Sequence, residues 1–439
     1  MKEDIRETRF ENGLVVLTDR MPGVRSVTLG FFFRAGSRHE PDELNGITHF
    51  IEHAVFKGTK RRSALDIAIE QDRLGGTLEA FTTHEETGFA VKVIDDELEP
   101  AFDLMTDMLR NAIFDEKEMK SEQRVIIEEL KMTDDSPEDR LSEIFSRAYF
   151  PGHPLGLSIA GTPKSVRTFD HIAARKYHRK MFRIENLVVV AAGNVDHNEF
   201  VKLVKSYFTQ SSRSTQRRSS SAGSASSALK KPREPKTKPP KPAAPIVIKQ
   251  NPALEQAHMI LATPLVSGRD KRRYAADLLT HILGGGMSSR LWQKIREERG
   301  LAYSVGASSI MFNDCGMFMV SAGTSPEQTV DVVDITVAEM RDVAALGVTA
   351  HELELAKDQT RAAILMSLED SAARAAGLAQ SEMLHGRQIT TEESLANYAA
   401  VSLDDIRDIA REFFRTELIA FAALGDLKGL RVNRKRLTI

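Results

Sequence analysis

The pattern of hydrophobic and polar residues predicts strands and helices that follow one another through the first half of the chain. Short runs of β-branched and aromatic residues are typical of strands, whereas apolar residues recurring every three or four positions are typical of helices. The strand-like runs are residues 13–19, 25–37, 76–94 and 186–195, and 76–94 is either one long strand or a strand pair. The helical patterns are residues 63–74, 96–110 and 115–133, with a shorter helical run inside NGITHFIEHAVFKGTK, residues 45–60.

The second half of the chain loosely repeats this order. Its strand-like segments are residues 256–266 and the strand–turn–strand 303–323, and its helical patterns are residues 272–285, 289–300 and 326–347. The recurrence favours an α+β protein with two related α/β-sandwich domains, each an antiparallel-rich sheet flanked by helices. Residue-level similarity between the two halves is weak.

A basic segment separates the two halves. Residues 211–245 contain nine Lys or Arg and one acid, Glu234. Because the whole chain has a net charge of −2, the rest of the chain has a net charge near −10. Because Ser, Ala, Pro and Lys offer little to bury, we expect a disordered linker between domains at residues 1–210 and 246–439. A basic run also suits nucleic acid or an anionic membrane, but this one has no aromatic residue to stack on bases.

The rest of the composition excludes several classes of protein. The 439 residues are 41% hydrophobic and 28% charged, and no run reaches the roughly 18 apolar residues of a membrane-spanning helix. The start, MKEDIRETRFENGLVV, has no apolar core and mixes acids with bases, so we expect a cytoplasmic protein without a membrane partner. The single cysteine, Cys315, excludes internal disulfides and multi-thiolate metal sites, so His, Asp or Glu must hold any metal.

The candidate chemistry lies in the short helical run, which contains His49, Glu52 and His53. Residues i, i+3 and i+4 share one helix face, so these three side chains point the same way. Two imidazoles four residues apart suit two corners of a tetrahedral zinc site, and a neighbouring glutamate suits a general base for metal-assisted hydrolysis. The order H-x-x-E-H is the inverse of the zincin motif. An ordinary amphipathic helix with two histidines is the alternative reading.

A catalytic zinc site needs a third protein ligand, and the helix predicted at residues 115–133 offers several glutamates. Glu122 and Glu129 are seven residues apart and share a face, and Glu129 stands beside apolar residues that should bury this part of the helix. A carboxylate near a buried surface needs a partner, which zinc would supply. Spacing alone does not choose between Glu128 and Glu129, and a solvated acidic face is the alternative.

The segment NGITHFIEHAVFKGT resembles the zinc-binding segment of the pitrilysin family of zinc peptidases, the inverzincins. It is most similar to the branch with the mitochondrial processing peptidase β subunit and its bacterial homologues. The resemblance implies that His49, His53 and Glu129, the last inside VIIEELKM, hold one Zn²⁺ per chain. It also implies that Glu52 is the catalytic base and that Glu122 orients a ligand.

Further matches extend the resemblance over most of the chain and imply substrate contacts. GGTLEAFTTHEETGF is similar to the family's active-site edge strand, in which the backbone of Ala80 and Phe81 would pair with substrate. The family's Asn in this strand is Glu79 here, which leaves any contact of that amide open. GGGMSSRLWQKIREERGLAYSV is similar to a segment whose substrate-contacting Arg and Tyr fall on Arg296 and Tyr303. From the residues alone, these two read as a solvated helix charge and a core strand residue.

The resemblance implies a zinc-dependent endopeptidase that cleaves peptides or extended polypeptide segments. It also implies a clamshell dimer, formed with an identical chain or with a homologue. Some relatives in this family are inactive, so a catalytically silent structural or peptide-binding subunit is the alternative. A scaffold tethered through the basic linker is a further alternative, and neither the substrate nor the cleavage specificity follows from the sequence.

Overall fold

The computed structural model describes residues 3–208 and 238–439, which form two compact units. Unit 1 comprises residues 3–130, 159–208 and 365–389, and unit 2 comprises residues 131–158, 238–364 and 390–439. Most of the predicted linker lies outside the described residues. Its end, residues 238–245, is hydrogen-bonded within unit 2, where the backbone N–H of Ala243 donates to the carbonyl of Tyr149 at 2.7 Å.

Unit 1 is built on a sheet of six strands in the order β1-β2-β6-β3-β5-β4. Strands β2 and β6 are parallel, and every other neighbouring pair is antiparallel. The strand β4 lies at the edge of the sheet, and among the described residues it pairs only with β5. The strands are β1 (Ile5–Arg9), β2 (Val15–Arg20), β3 (Ser26–Phe33), β4 (Leu78–Thr82), β5 (Thr87–Ile94) and β6 (Leu187–Gly193).

Unit 2 repeats five of these strands with the same order and directions. Its sheet has the order β7-β11-β8-β10-β9, in which only β7 and β11 are parallel. The strands are β7 (Ile246–Gln250), β8 (Ala257–Leu265), β9 (Ala302–Met311), β10 (Gly316–Thr324) and β11 (Ala420–Gly425). Strands β7 to β11 therefore correspond to β2 to β6 in chain order, and the two related halves indicated by the hydrophobic pattern are confirmed as two α/β units.

Helices cover both faces of each sheet. Among the described helices, none is long and apolar enough to cross a membrane. The helices are α1 (Ile47–Ala54), α2 (Ala64–Arg73), α3 (Leu98–Asn111), α4 (Glu116–Asp135), α5 (Pro137–Tyr149), α6 (Pro163–Val166), α7 (His171–Met181), α8 (His197–Phe208), α9 (Arg273–Gly284), α10 (Thr329–Leu346), α11 (Ala350–Ser367), α12 (Ser371–His385), α13 (Thr391–Ala400) and α14 (Leu403–Phe413).

Each sheet has a large core on one face and a small core on the other. In unit 1 the large core includes residues of α1, α3, α7 and α8, and the small one is made by α12 against β2, β3 and β6. In unit 2 the large core includes residues of α9, α10 and α14, and the small one is made by α5 against β8 and β11. Both small-core helices, α5 and α12, thus belong to a unit whose sheet comes from the other half of the sequence.

Candidate metal centre

Helix α1 carries the H-x-x-E-H motif and begins in a buried turn. Its first residues are fixed by Glu40, whose carboxylate accepts from the backbone N–H groups of Gly46 and Thr48 at 2.7 Å each. These are N–H groups that a helix leaves without an internal partner. Gly46 has φ 97°, and a Cβ there would stand 2.6 Å from the carbonyl oxygen of Ala160, so this turn requires glycine.

The two opposite faces of α1 contact different parts of the molecule. Its apolar residues are packed into the large core of unit 1, and the ring centroid of Phe50 lies 5.6 Å from that of Phe169. This packing turns His49, Glu52 and His53 toward α4 and β4. Nδ1 of His49 is buried and has no hydrogen-bond partner in the described part of the chain. The orientation of this ring therefore depends on packing and not on a hydrogen bond at Nδ1.

Helix α4 brings Glu129 to the two histidines. Nε2 of His49 and Nε2 of His53 each lie 3.6 Å from a carboxylate oxygen of Glu129, and the possible ligand atoms all lie within 4.8 Å of one another. Metal–ligand distances of about 2.0–2.2 Å in a tetrahedron place ligand atoms roughly 3.4 Å apart. The separation and the two-nitrogen, one-carboxylate donor set therefore fit Zn²⁺.

Glu122 lies about two helical turns before Glu129 on α4 and contacts His53. Its carboxylate is 2.9 Å from Nδ1 of His53 and 2.8 Å from Nζ of Lys57, and its side chain is buried. Burial alone would raise the pKa of Glu122, but the hydrogen bonds from His53 and Lys57 lower it below its usual value. A charged Glu122 fixes the proton of His53 on Nδ1 and leaves the lone pair of Nε2 available to a metal.

The two histidines differ in their electrostatic surroundings. Burial, with a smaller contribution from His53, lowers the pKa of His49 to about 4, so His49 is neutral at physiological pH. Burial also acts to lower the pKa of His53, but the hydrogen bond to Glu122 and the charges of three glutamates raise it overall. A neutral imidazole is the form that binds a metal, so metal binding at His53 would displace a proton.

Glu52 is linked to the edge strand β4. Its carboxylate is buried and accepts from the hydroxyl of Thr82 through Oε2 at 2.6 Å. Burial raises the pKa of Glu52 above its usual value, and the hydrogen bond from Thr82 partly opposes this. A raised pKa suits a group that takes up and returns a proton near neutral pH.

The predicted substrate-contacting residues lie in both units. Ala80 and Phe81 are in β4, where Phe81 is 38% exposed, and Glu79 of the same strand is exposed. In unit 2, the guanidinium of Arg296 lies 4.2 Å from the ring centroid of Trp292 and 5.0 Å from that of Tyr303. Tyr303 is 78% exposed, so the interpretation of this residue as part of a core strand is wrong.

Several residues of the site were not found from the sequence. Thr82 holds Glu52, Lys57 contacts Glu122, and Glu40 fixes the start of α1. Lys57 follows His53 by four residues, just beyond the end of α1, so its closeness in sequence was a usable signal. Glu40 lies in the loop before α1 and Thr82 lies in β4. No local sequence pattern predicts their contacts with α1.

The fold and the centre together define a class of protein. An H-x-x-E-H helix completed by a glutamate of a second helix is the arrangement of the inverzincins. Residues 15–163 match the family described as insulinase, peptidase family M16, and residues 169–360 match the description peptidase M16 inactive domain. The chain belongs to peptidase family M16, which confirms the family resemblance found in its sequence.

Individual relatives are similar over nearly the whole chain. An uncharacterized zinc protease of Streptomyces coelicolor is 38% identical over 98% of this chain and 91% of its own length. An uncharacterized zinc protease of Bacillus subtilis is 34% identical over 96% of this chain and 98% of its own length. The crystal structure of a protease from Helicobacter pylori has a TM-score of 0.85 at 21% identity, covering 96% of this chain and 100% of that one, and shares the fold.

Proposed function

We propose that the protein is a zinc-dependent endopeptidase. His49, His53 and Glu129 would hold the metal, and Glu52 would be the catalytic base. The observation that carries this proposal is the convergence of two imidazole nitrogens on one carboxylate, each 3.6 Å away, beside a glutamate on the same face of α1. When bound, Zn²⁺ acts as a Lewis acid that lowers the pKa of a coordinated water to about 7 and polarises the scissile carbonyl.

The chain's own residues supply the proton transfers. Oε2 of Glu52 accepts from Thr82, and Oε1 accepts no hydrogen bond from the described residues. Oε1 is therefore the atom that would take the proton of the attacking water and later return it to the leaving amine. Thr82 holds the carboxylate of Glu52 in one orientation before the reaction begins. The side chain therefore loses little conformational entropy on reaching the transition state.

The substrate would bind as an added strand along β4. The edge of a sheet presents backbone donors and acceptors, and an extended peptide that pairs with them is held mainly through its main chain. Ala80 and Phe81 lie in this strand, and the hydrogen bond from Thr82 to Glu52 joins the strand to the proposed base. Cleavage would then select extended peptides. Arg296 and Tyr303 would contact substrate as well, in a homodimer or in a heterodimer with a homologue.

The metal dependence of hydrolysis tests this proposal. Purified protein is incubated with a quenched fluorescent peptide library, then with a chelator, then with added Zn²⁺. Cleavage that the chelator abolishes and zinc restores supports the proposal, and His49→Ala should lose both cleavage and bound zinc. Cleavage that survives complete removal of the metal would contradict it.

A catalytically silent, peptide-binding subunit is the second candidate. The family match over residues 169–360 bears the description inactive domain, and unit 2 has no counterpart of the H-x-x-E-H motif. No hydrolysis by a protein that holds stoichiometric zinc would favour this candidate. Deleting residues 211–237, which spares the residues hydrogen-bonded in unit 2, tests the tethered scaffold: a peptidase keeps its activity on short peptides, whereas a scaffold tethered through the linker loses its binding.

A further inference from the structure

Unit 1 contains a cavity that the proposed peptidase site does not use. It measures about 420 Å³ and lies among the ends of β3, α3, α7 and α8. This volume is within the range of about 300–1,000 Å³ that small-molecule sites occupy. Aromatic side chains form its apolar wall, and the fully buried members are Phe31, Phe33, Phe114 and Phe208.

The rim of the cavity carries only positive charge. Lys60, Arg110, Arg175 and Arg179 line it and are exposed, and no Asp or Glu is among the lining residues. Within the described residues, none of these four cations forms an ion pair. Arg110 donates to the carbonyl of Tyr207 and lies 4.9 Å from the ring centroid of Phe208, and Arg175 donates to the carbonyl of Ile113 at 3.0 Å. The nearest acid in α3, Asp107, is already bound by Thr59 and Arg62.

A buried hydroxyl gives the cavity a second polar feature. Thr106 lines the cavity and is 4% exposed, and its Oγ1 has no hydrogen-bond partner among the described residues. Buried polar groups are normally paired, so this hydroxyl is unusual among the residues that line the cavity. Thr106 and Arg110 are one turn apart on α3 and lie on the same face of the helix.

We propose that this cavity binds an amphiphilic monocarboxylate, a single carboxylate on an aliphatic or aromatic body. The carboxylate accepts from Arg110 and Thr106, and Arg175 and Arg179 add positive charge at the rim. The apolar body lies against the aromatic wall, where burial of its methylene groups favours binding. The site is separate from the residues proposed to hold zinc, so it does not depend on peptidase activity.

Binding of laurate to the full-length protein tests the proposal by equilibrium dialysis below the micelle concentration. We expect one saturable site, with clearly weaker binding of dodecanol, which has the same chain without the charge. Arg110→Met and Thr106→Val should each weaken laurate binding, Arg110→Met by about tenfold or more because it removes a charge-assisted hydrogen bond. Lys180→Met is the matched control, since Lys180 is an exposed cation of α7 that does not line the cavity.

The outcomes separate the proposal from its rivals. Thr106→Val should fold at least as stably as the wild type, because the lost hydroxyl has no partner, so its weaker binding cannot be explained by unfolding. Equal affinity for laurate and dodecanol, or equal loss in Arg110→Met and Lys180→Met, would overturn the proposal. So would the absence of saturable binding. Binding that appears only after deletion of residues 211–237 would also overturn it, because the full-length protein would then not bind the ligand.

Discussion

At the scale of single residues, the centre depends on contacts between groups distant in sequence. Glu122 receives hydrogen bonds from His53 and Lys57, and Glu52 receives one from Thr82. The grouping of His49, His53 and Glu129 could be predicted because helical spacing brings the two histidines to one face and the family resemblance points to Glu129. The orientation of each ring and carboxylate could not be predicted, because it depends on tertiary contacts that no local pattern encodes.

Replacing Glu122 by Gln should weaken zinc binding. The amide keeps nearly the same shape but loses the charge that holds the proton of His53 on Nδ1. Loss of such a partner typically lowers metal affinity by about 10–100-fold. Competition with a chromogenic chelator measures the affinity, and Glu116→Gln, an exposed position of the same helix, is the control. An unchanged affinity in Glu122→Gln would show that His53 needs no such partner.

Replacing Thr82 by Val should slow hydrolysis without changing the zinc content. Val fits the strand but cannot donate to Glu52, and a hydrogen bond to a charged group is worth about 1.5–3 kcal/mol, so we expect a loss of at least about tenfold in kcat/KM. Thr82→Ser keeps the hydroxyl and should retain most of the activity. If Val and Ser behave alike, the hydroxyl does not position the base.

At the scale of elements, the strands and helices with strong periodicity could be predicted from the sequence. The region of residues 76–94 is a strand pair, and the helical patterns at 63–74, 96–110 and 115–133 are confirmed as α2, α3 and α4. The small-core packing of α5 and α12 was not predicted, because hydrophobic periodicity identifies an apolar face but not the sheet that it covers. That choice rests on long-range ion pairs and packing.

Buried ion pairs attach α12 to the sheet of unit 1. Glu382 is 1% exposed and accepts from Arg9 at 2.6 Å and from Arg34 at 2.8 Å. Glu382→Ala removes the carboxylate that the buried Arg34 and the partly exposed Arg9 share, which should lower the free energy of unfolding by about 3–5 kcal/mol. Arg9 keeps its contact with Glu7. The control Glu116→Ala removes an exposed pair with Lys120 and should cost about 0–1 kcal/mol. Urea unfolding distinguishes these results, and equal losses would contradict the proposed role of Glu382.

His178 makes the packing of α7 on α3 sensitive to acid. Its Nε2 donates to the carbonyl of Leu109 at 2.8 Å, and burial lowers its pKa to about 4. The unfolded chain, with a pKa near 6.5, binds the proton more readily, so stability present above pH 6.5 is lost as the pH falls toward 4. At pH 5 this loss should be about 2 kcal/mol.

His178→Gln keeps a donor for Leu109 but does not titrate. The difference in unfolding free energy between wild type and His178→Gln should therefore shift by about 2 kcal/mol in favour of the variant between pH 7 and pH 5. Urea unfolding of metal-free protein at both pH values measures it, so that zinc release does not contribute. The exposed His351→Gln should show a much smaller shift. A constant difference for His178→Gln would contradict the account.

At the scale of the whole molecule, two units with the same strand order differ in the motifs that they carry. The motif of unit 1 sits on the helix after β3, and the helix after β8, the corresponding strand of unit 2, carries no such motif. This asymmetry could be predicted because the presence or absence of the motif is visible in the amino-acid sequence. The interleaving of the units along the chain could not be predicted, because it arises from contacts between segments more than 300 residues apart, such as the hydrogen bond from Arg374 to Asp19.

The proposed function of the molecule reduces to one claim, that Glu52 moves the proton in peptide hydrolysis at a metal held by its neighbours. The most direct test compares kcat of the wild type and Glu52→Gln at equal, measured zinc content. Removal of a general base typically costs about 10²–10⁴-fold, so we predict a loss in that range with zinc fully retained. Equal kcat values for the two zinc-loaded proteins would contradict the account.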